Sequence, residues 1–249
     1  MKTIIVVIAL TLSVVAQSRS FSGSDYVSVS AGTGTKINIT SGATSGSWWA
    51  YPTAVDSDEH DFFSIWDGGS NSQFLYELGS TAVGGSNQAG IVYGTYHPET
   101  GNYVACQNAL SENNWYGFVA STDGTSVYGI ASTIQFSCAA GYAWQSGNSR
   151  SADIPLIIGG QYSGGIANYK GRLSNLAIWN VKLSSGESQA LQVGVDPSRV
   201  RRTALVGFWP LYGAASPEPD YTGNGYNGTL TGTTVSNKRC PCGSPAWIP

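Results

Sequence analysis

The sequence predicts an all-β protein in which two antiparallel sheets pack as a β-sandwich, with one short helix near the C-terminus. Strand-like runs follow one another along the chain, turn-forming clusters separate them, and helical periodicity is confined to one segment. The composition agrees, because 32 Gly, 14 Tyr and 8 Trp accompany a charged fraction of only 11 %. Aromatic side chains favour pleated surfaces, and glycine favours tight turns.

The expected strands are short runs of alternating or continuous apolar character. They are residues 26–30, 36–40, 47–51, 62–66, 73–77, 90–96, 102–106, 115–121, 126–131, 156–159, 171–181 and 205–211. Breaker clusters such as Gly68-Gly69-Ser70-Asn71 and Thr122-Asp123-Gly124-Thr125 lie between them. About a dozen strands at this spacing favour two antiparallel sheets packed face to face.

One helix is expected after residue 184. Ser184-Ser185-Gly186-Glu187 has the pattern of a capping box, in which the serine and the glutamate satisfy each other's backbone amides. Ala190 and Leu191 supply the apolar positions that follow. We expect the helix to end before Gly194.

The first twenty residues have the pattern of a secretory signal peptide. Lys2 precedes an almost wholly apolar run over 4–15, and small residues follow it. Val14-Val15-Ala16 and Ala16-Gln17-Ser18 both offer cleavage positions. The run is too short to cross a bilayer core of about 30 Å, and the rest of the sequence has no longer apolar stretch. The sequence therefore predicts a secreted or cell-surface protein whose mature chain has no membrane span.

The remainder is expected to form one domain over residues 21–236, followed by an irregular Cys- and Pro-rich tail over 237–249. Removing residues 1–20 takes away Lys2 and Arg19 and no acid, so 10 basic residues face 15 acidic ones and the net charge is −5. Nucleic acid is not an expected partner, because phosphate binding needs clustered Lys and Arg. The basic cluster Arg199, Arg201 and Arg202 is interpreted as a solvated turn.

Four cysteines in an exported chain suggest two disulfides. Cys240 and Cys242 are separated by one proline, a spacing expected to hinder a mutual bridge. A bridge between Cys106 and Cys138 is favoured, with the tail pair bridging elsewhere or partly free. Two glycosylation sequons begin at Asn38 and Asn227.

Several segments occur in an order that resembles a known family. They are residues 21–27 (FSGSDYV), 47–52 (SWWAYP), 114–120 (NWYGFVA), 156–160 (LIIGG), 169–180 (YKGRLSNLAIWN), 205–211 (LVGFWPL) and 223–229 (GNGYNGT). Together they resemble the laminin-G-like jelly roll of the concanavalin A-like lectin/glucanase superfamily, in the type found in bacterial and phage-associated proteins. The resemblance implies a jelly-roll fold. It leaves function open, because this sandwich hosts lectins, glucanases, adhesins and virion or surface components.

A cluster of acids over residues 56–61 raises two chemical possibilities. Glucanases of this superfamily carry an E-x-D-x-x-E strand, and Glu59 and Asp61 begin that pattern but Ser64 stands at its third acidic position. Because the third carboxylate of the glucanase pattern is missing, the sequence does not favour a glycoside hydrolase. The same loop offers Asp56, Asp58, Glu59 and Asp61 as oxygen ligands for calcium, with a solvated acidic turn as the alternative.

Aromatic side chains are the other candidates for a binding site, because sugar rings stack on flat aromatic faces. Trp48, Trp115, Trp179 and Trp209 are expected to pack in the core. The candidate ligand-binding aromatics are Trp66, Tyr93, Tyr96, Tyr103, Tyr142, Trp144 and Tyr162.

Three functions remain open at this point. The first is a non-catalytic extracellular recognition module that binds a glycan or a surface protein. The second is a structural subunit that forms a homo-oligomer, a filament, a surface layer or a virion-like assembly. The third is a glycoside hydrolase with atypical catalytic carboxylates.

Overall fold

The structure is a computed structural model. It describes residues 18–29, 37, 43–56, 58, 60–66, 74–78, 90–94, 103–107, 110–123, 127–131, 134–137, 154–161, 169–213 and 215–242. For residues 74, 75, 77, 90–94, 103–107, 127–131 and 134–137 it describes the backbone alone.

The described strands form two antiparallel sheets. They are β1 Ser18–Ser22, β2 Tyr26–Val29, β3 Thr44–Pro52, β4 His60–Ile65, β5 Phe74–Leu78, β6 Gly90–Gly94, β7 Tyr103–Gln107, β8 Tyr116–Thr122, β9 Val127–Ala131, β10 Ile134–Ser137, β11 Leu156–Ile158, β12 Lys170–Trp179, β13 Leu205–Trp209, β14 Thr229–Thr231 and β15 Thr234–Ser236. The first sheet has the order β10-β9-β8-β3-β12-β1-β15, and β13 also pairs with β12. The second sheet has the order β14-β2-β11-β4-β5-β6-β7.

The prediction of an all-β sandwich with one helix is confirmed. Most expected strands occur within two or three residues of their expected bounds. The expected strand at 36–40 lies outside the described residues except for residue 37. The sequence reading missed β1, β10, β14 and β15, each of five residues or fewer. Short strands of polar composition carry little of the alternation on which strand prediction depends.

Aromatic packing between the sheets forms the main core. The ring of Trp48, on β3 of the first sheet, lies 5.4 Å from Phe62 and 5.0 Å from Phe63, both on β4 of the second sheet. Tyr76 of the second sheet and Phe118 of the first are each 5.2 Å from the same indole. The exposed fraction of Trp48 is zero, so its ring joins the two sheets through dense contacts on both sides.

A helix and two short 3₁₀ turns cover one end of the outer face of the first sheet. The helix α1 spans Ser185–Gln192, and the predicted capping box of Ser184 and Glu187 is present. The 3₁₀ turns span Pro197–Arg199 and Arg202–Ala204. Behind them lies a second apolar cluster, made of Val119, Ala177, Trp179, Leu183, Leu191, Val200, Leu205 and Phe208. In the part of the chain that is described, no helix is long and apolar enough to cross a membrane.

The N-terminal end of the domain differs from the expected boundary. Strand β1 begins at Ser18, three residues before the expected start at Phe21. It lies inside the first sheet, between β12 and β15. The sequence reading assigned Ser18, Arg19 and Ser20 to the signal segment because they directly follow its apolar run.

The C-terminal tail corrects the expected cysteine pairing. Cys240 and Cys242 form a disulfide with each other, although their spacing was expected to hinder it. Their Cα atoms are 5.1 Å apart, within the ordinary range for a disulfide, because the chain turns back on itself at Pro241. Both cysteines are buried against Trp49, on the outer face of the first sheet. The expected partner pair is not tested, because Cys138 and the side chain of Cys106 lie outside the description.

Candidate ligand-binding site

A polar cavity of about 440 Å³ lies at the edge of the first sheet, beside β13. One wall is the 3₁₀ turn Arg202–Ala204 and the start of β13, and the opposite wall is the loop over 221–226. Its lining consists of Asn180, Ser198, Arg202, Thr203, Ala204, Leu205, Val206, Tyr221, Thr222, Asn224 and Tyr226. The volume falls within the roughly 300–1,000 Å³ that small-molecule sites occupy.

Asp220 fixes the shape of the 221–226 loop. Its Oδ1 atom accepts hydrogen bonds from the amides of Phe208 at 3.1 Å and Thr222 at 3.0 Å. Its Oδ2 atom accepts from the hydroxyl of Thr222 at 2.7 Å and from the amide of Tyr226 at 3.2 Å. A carboxylate that accepts several backbone amides holds a turn in one conformation. Hydrogen bonds within the protein therefore set the shape of this cavity wall.

Two further contacts attach this loop to β13. The Nδ2 atom of Asn224 donates to the carbonyl of Val206 at 2.9 Å, and the amide of Tyr221 donates to the carbonyl of Phe208 at 2.8 Å. The first contact also sets the orientation of the Asn224 amide group at the cavity. These bonds occupy the edge of β13 that does not pair with β12.

The tyrosines supply an apolar surface with a polar end. Tyr221 is 44 % exposed, and its hydroxyl is 2.7 Å from the hydroxyl of Tyr212. Burial, together with the hydrogen bond and charge of Tyr221 and the charges of Glu218 and Asp196, raises the pKa of Tyr212 well above its usual range. Tyr212 therefore stays protonated near neutral pH, and its hydroxyl remains able to donate.

Arg199, Arg201 and Arg202 lie close together in the sequence near the cavity, but their side chains have different partners. Arg201 donates from Nε to Glu187 Oε1 at 2.5 Å, which ties it to the start of α1. Arg199 and Arg202 are exposed, and neither forms an ion pair with another described residue. Of the three, only Arg202 lines the cavity. The site thus combines a cationic side chain with amide, hydroxyl and aromatic groups.

Of the seven aromatic candidates from the sequence, the structure describes the side chain of Trp66 alone, and Trp66 is not among the described residues that line this cavity. Trp66 is only 9 % exposed and offers little ring surface to a ligand. The side chains of Tyr93 and Tyr103 are not described, although their backbones lie in β6 and β7. Tyr96, Tyr142, Trp144 and Tyr162 lie outside the described residues. Of the four tryptophans expected in the core, Trp48, Trp179 and Trp209 are fully buried, and Trp115 packs half-buried against Tyr51 at 5.5 Å.

The acidic loop does not form a metal centre in the described residues. Asp56 Oδ1 lies 2.7 Å from His60 Nε2 and accepts the amide of Asp58 at 3.0 Å. Burial raises the pKa of Asp56, but the hydrogen bonds and the His60 charge outweigh that effect, and the net pKa lies below the usual value. Asp61 is fully buried in β4, and Asp58 is exposed. The described residues contain no group of three or more His, Cys, Asp or Glu side chains placed to hold a metal ion.

Glu59, the remaining acid of this loop, lies outside the description. Ser64, which stands where a glucanase strand has its third acid, is buried and donates to the carbonyl of Gly160 at 2.9 Å. Of the two sequons, Asn38 is outside the description. Asn227 is exposed, and its Oδ1 atom accepts the amide of Asp220 at 2.9 Å.

Sequence reasoning did not predict a site at the residues that line the cavity, and it interpreted Arg202 as part of a solvated basic turn. Asn180, Arg202 and Asn224 lie far apart in the sequence and meet only through the pairing of β12, β13 and the loop. The available signal was the turn-rich run from Pro219 to Asn227, in which an aspartate precedes Thr, Gly and Asn residues. That pattern indicates an ordered loop but not what faces it.

The fold and its cavity define the class: a two-sheet antiparallel jelly roll with a preformed polar site at one sheet edge. Residues 21–187 match the family Laminin_G_3, of the concanavalin A-like lectin/glucanases superfamily. The match covers more than half of the chain, so the chain belongs to this superfamily. All lining residues of the cavity except Asn180 lie beyond the matched range.

Solved structures share the fold at low sequence identity. A protein from Bacteroides ovatus assigned to carbohydrate binding has a TM-score of 0.69 and 18 % identity, and the alignment covers 92 % of this chain and 62 % of that one. This chain thus spans less than two thirds of that protein's length. The heptameric SAP-like pentraxin of Limulus polyphemus has a TM-score of 0.53 and 15 % identity, over 88 % of this chain and 94 % of that one.

A third structure is the CBM40 module of a Ruminococcus gnavus IT-sialidase bound to α2,6-sialyllactose. It has a TM-score of 0.53 and 13 % identity, over 71 % of this chain and 96 % of that one. No curated protein matches the chain. Identities this low show a shared fold and nothing finer.

Proposed function

We propose that this chain is a secreted, non-catalytic recognition module that binds carbohydrate in the cavity beside β13. The observation that carries the proposal is the lining of that cavity. Hydroxyl, amide and guanidinium groups converge there around a partly exposed tyrosine ring. Saccharides present many hydroxyl groups on a ring with apolar faces, so they need hydrogen-bonding groups and a flat aromatic surface together.

Preformation of the site favours binding. Asp220 and Asn224 hold the 221–226 loop in place through hydrogen bonds to the backbone, so little ordering remains to oppose association. Arg202 adds a cation at the rim that can bind ring hydroxyls or an acidic substituent. The Bacteroides protein assigned to carbohydrate binding and the Ruminococcus module solved with sialyllactose share this fold, which supports the proposal.

The described residues that line the cavity include no pair of acids, which supports a non-catalytic role for this site. Hydrolysis of a glycosidic bond needs two carboxyl groups about 5–10 Å apart. No carboxylate belongs to the described lining of the cavity. Asp220, which stands behind the loop, has both oxygens engaged by hydrogen bonds. In β4, Asp61 is fully buried and Ser64 replaces the third acid of the glucanase pattern.

Two features support export. The first is the signal-like pattern at the N-terminus, in which Lys2 precedes the apolar run over 4–15. The second is the disulfide between Cys240 and Cys242, a bond typical of oxidising compartments. The alternative of a structural subunit stays a prediction. Among the end strands of the two described sheets, β14 and β15 offer little backbone for assembly by strand addition, because each has only three residues, whereas β10 has four and β7 has five.

A glycan array followed by calorimetry on the best ligand tests the proposed function. We expect Arg202→Ala and Tyr221→Ala each to weaken binding by about tenfold, since each loses roughly one good contact of about 1.4 kcal/mol. Arg199→Ala is the matched control, because Arg199 is also exposed but is not among the residues that line the cavity. Failure of the wild-type chain to bind any glycan would refute the function. Binding that neither variant changes would refute the site.

A further inference from the structure

Strand β1 is an interior strand of the first sheet rather than a terminal extension. Arg19 and Ser20 pair with β12 on one side and with β15 on the other. Ser18 is fully buried, and its hydroxyl donates to the carbonyl of Lys238 at 2.9 Å. Residues 18–20 therefore belong to the folded domain, although they directly follow the signal-like run.

Arg19 is the most constrained side chain of this strand. It is 1 % exposed, and its Nη2 atom donates to Glu218 Oε2 at 2.6 Å and to the carbonyl of Gly213. Its Nη1 atom donates to Thr233 Oγ1 at 3.2 Å. Glu218 is also 1 % exposed, and its second oxygen accepts the amide of Leu211 at 2.7 Å. Arg19 is the cation that balances this buried carboxylate.

This arrangement discriminates between the cleavage positions in the sequence. Removal of residues 1–18 would place the charged α-ammonium group on Arg19, a residue that is only 1 % exposed. It would also delete the contact of Ser18 with Lys238. Removal of residues 1–20 would leave Glu218 buried without its cation. Charges buried without a partner strongly destabilise a fold.

We infer that the chain is processed between Ala16 and Gln17, so that the mature protein begins at Gln17 and keeps β1 whole. This inference rests on the export proposed above. The small residue Ala16 directly before the cut and Val14 two residues earlier fit the A-x-A-like pattern of such sites. The mature domain therefore begins at Gln17 and not at Phe21, where the sequence alone placed its start.

A start at Gln17 has a chemical consequence. The free α-amino group of an N-terminal glutamine can attack its own side-chain amide carbon. A new carbon–nitrogen bond closes a five-membered lactam, and the amide nitrogen leaves as ammonia. No other reactant is needed. The mature chain is therefore expected with glutamine or pyroglutamate at its N-terminus, which differ in mass by one ammonia.

The test is to express the precursor, residues 1–249, in a secreting host and to determine the N-terminus of the exported protein by intact mass and peptide sequencing. A start at Gln17, open or cyclised, is the expected result. Export with a start at Arg19 or Phe21 would overturn the processing position and leave the export intact. A chain that retains residues 1–16 would overturn the processing and the export together.

Two precursor variants sharpen the test. Ala16→Leu places a large residue directly before the cut, so the yield of exported protein should fall at least tenfold. Val15→Leu is the matched control, because the middle position of the A-x-A-like pattern accepts any residue, and its product should still begin at Gln17. An Ala16→Leu precursor that yields wild-type amounts of a chain beginning at Arg19 would contradict the inference.

Discussion

The buried pair of Arg19 and Glu218 gives the sharpest stability prediction. Replacing Arg19 by Met keeps the length and apolar character of the side chain but removes its hydrogen bonds to Glu218, Gly213 and Thr233. Among the described residues, the carboxylate of Glu218, which is 1 % exposed, would then keep only the amide of Leu211 as a hydrogen-bond donor. Breaking one side of a buried ion pair costs about 3–5 kcal/mol, because the remaining charge is left unpaired.

The assay is urea denaturation of the exported protein at pH 7 and 25 °C, followed by tryptophan fluorescence. We expect Arg19→Met to lower the free energy of unfolding by about 3–5 kcal/mol. The double variant Arg19→Met with Glu218→Gln should lose less than the sum of the single variants, by about 1–3 kcal/mol, since neither charge is then left alone. Arg239→Met, at an exposed arginine, is the control and should change stability by no more than about 0.5 kcal/mol. A loss below about 1 kcal/mol for Arg19→Met would refute both the burial argument and the importance of β1.

Three further predictions concern the same fold. Burial raises the pKa of Glu218, and the charge and hydrogen bond of Arg19 only partly offset it. The folded state therefore binds the carboxyl proton of Glu218 more tightly than the unfolded state does. The free energy of unfolding, relative to that of Glu218→Gln, should fall as the pH rises from the usual glutamate pKa through the raised one. Urea midpoints at several pH values measure this change, and a rise in stability over that range would contradict the prediction. Trp48→Ala should lower the free energy of unfolding by about 3–5 kcal/mol in the same urea titration, because four aromatic rings lose their contact with the indole. A loss below about 2 kcal/mol would mean that the two sheets move together and fill the cavity. Gly171→Ala should lower the free energy of unfolding by at least about 1–3 kcal/mol, because φ at this residue is +148° and the new Cβ would overlap the carbonyl oxygen of Tyr51. Gly186→Ala is the control, because its Cβ would enter open space on α1, and it should leave stability unchanged or raise it. Thermal melting of both variants measures the difference.

Local patterns predicted the parts of this protein whose structure depends on near neighbours. The capping box of Ser184 and Glu187 marked the start of α1, because its hydrogen bonds join residues three apart. The apolar run over 47–51 predicted a strand, and that strand is present as β3. In each case the relevant interaction spans only a few residues of sequence.

Features that depend on distant pairing were misread or missed. Ser18–Ser22 is polar and follows an apolar run, so nothing local indicates that Arg19 reaches Glu218 across the fold. The tail disulfide was judged from its spacing, but the turn at Pro241 and packing on Trp49 set its geometry. The sequence also did not predict the cavity, because its walls come from segments that meet only once the strands have paired.

The sequence by itself determined that this chain is a sandwich of antiparallel strands with one capped helix, because alternation, turn clusters and caps act over a few residues. It also determined the family resemblance, which rests on the order of motifs over residues 21–229, and the family match covers residues 21–187 of that range. Only the tertiary structure decided that β1 is an interior strand, that Glu218 is neutralised by Arg19, and that Arg202, Tyr221 and Asn224 share one cavity. Those facts are set by strand order and register, which arise from the packing of the whole chain.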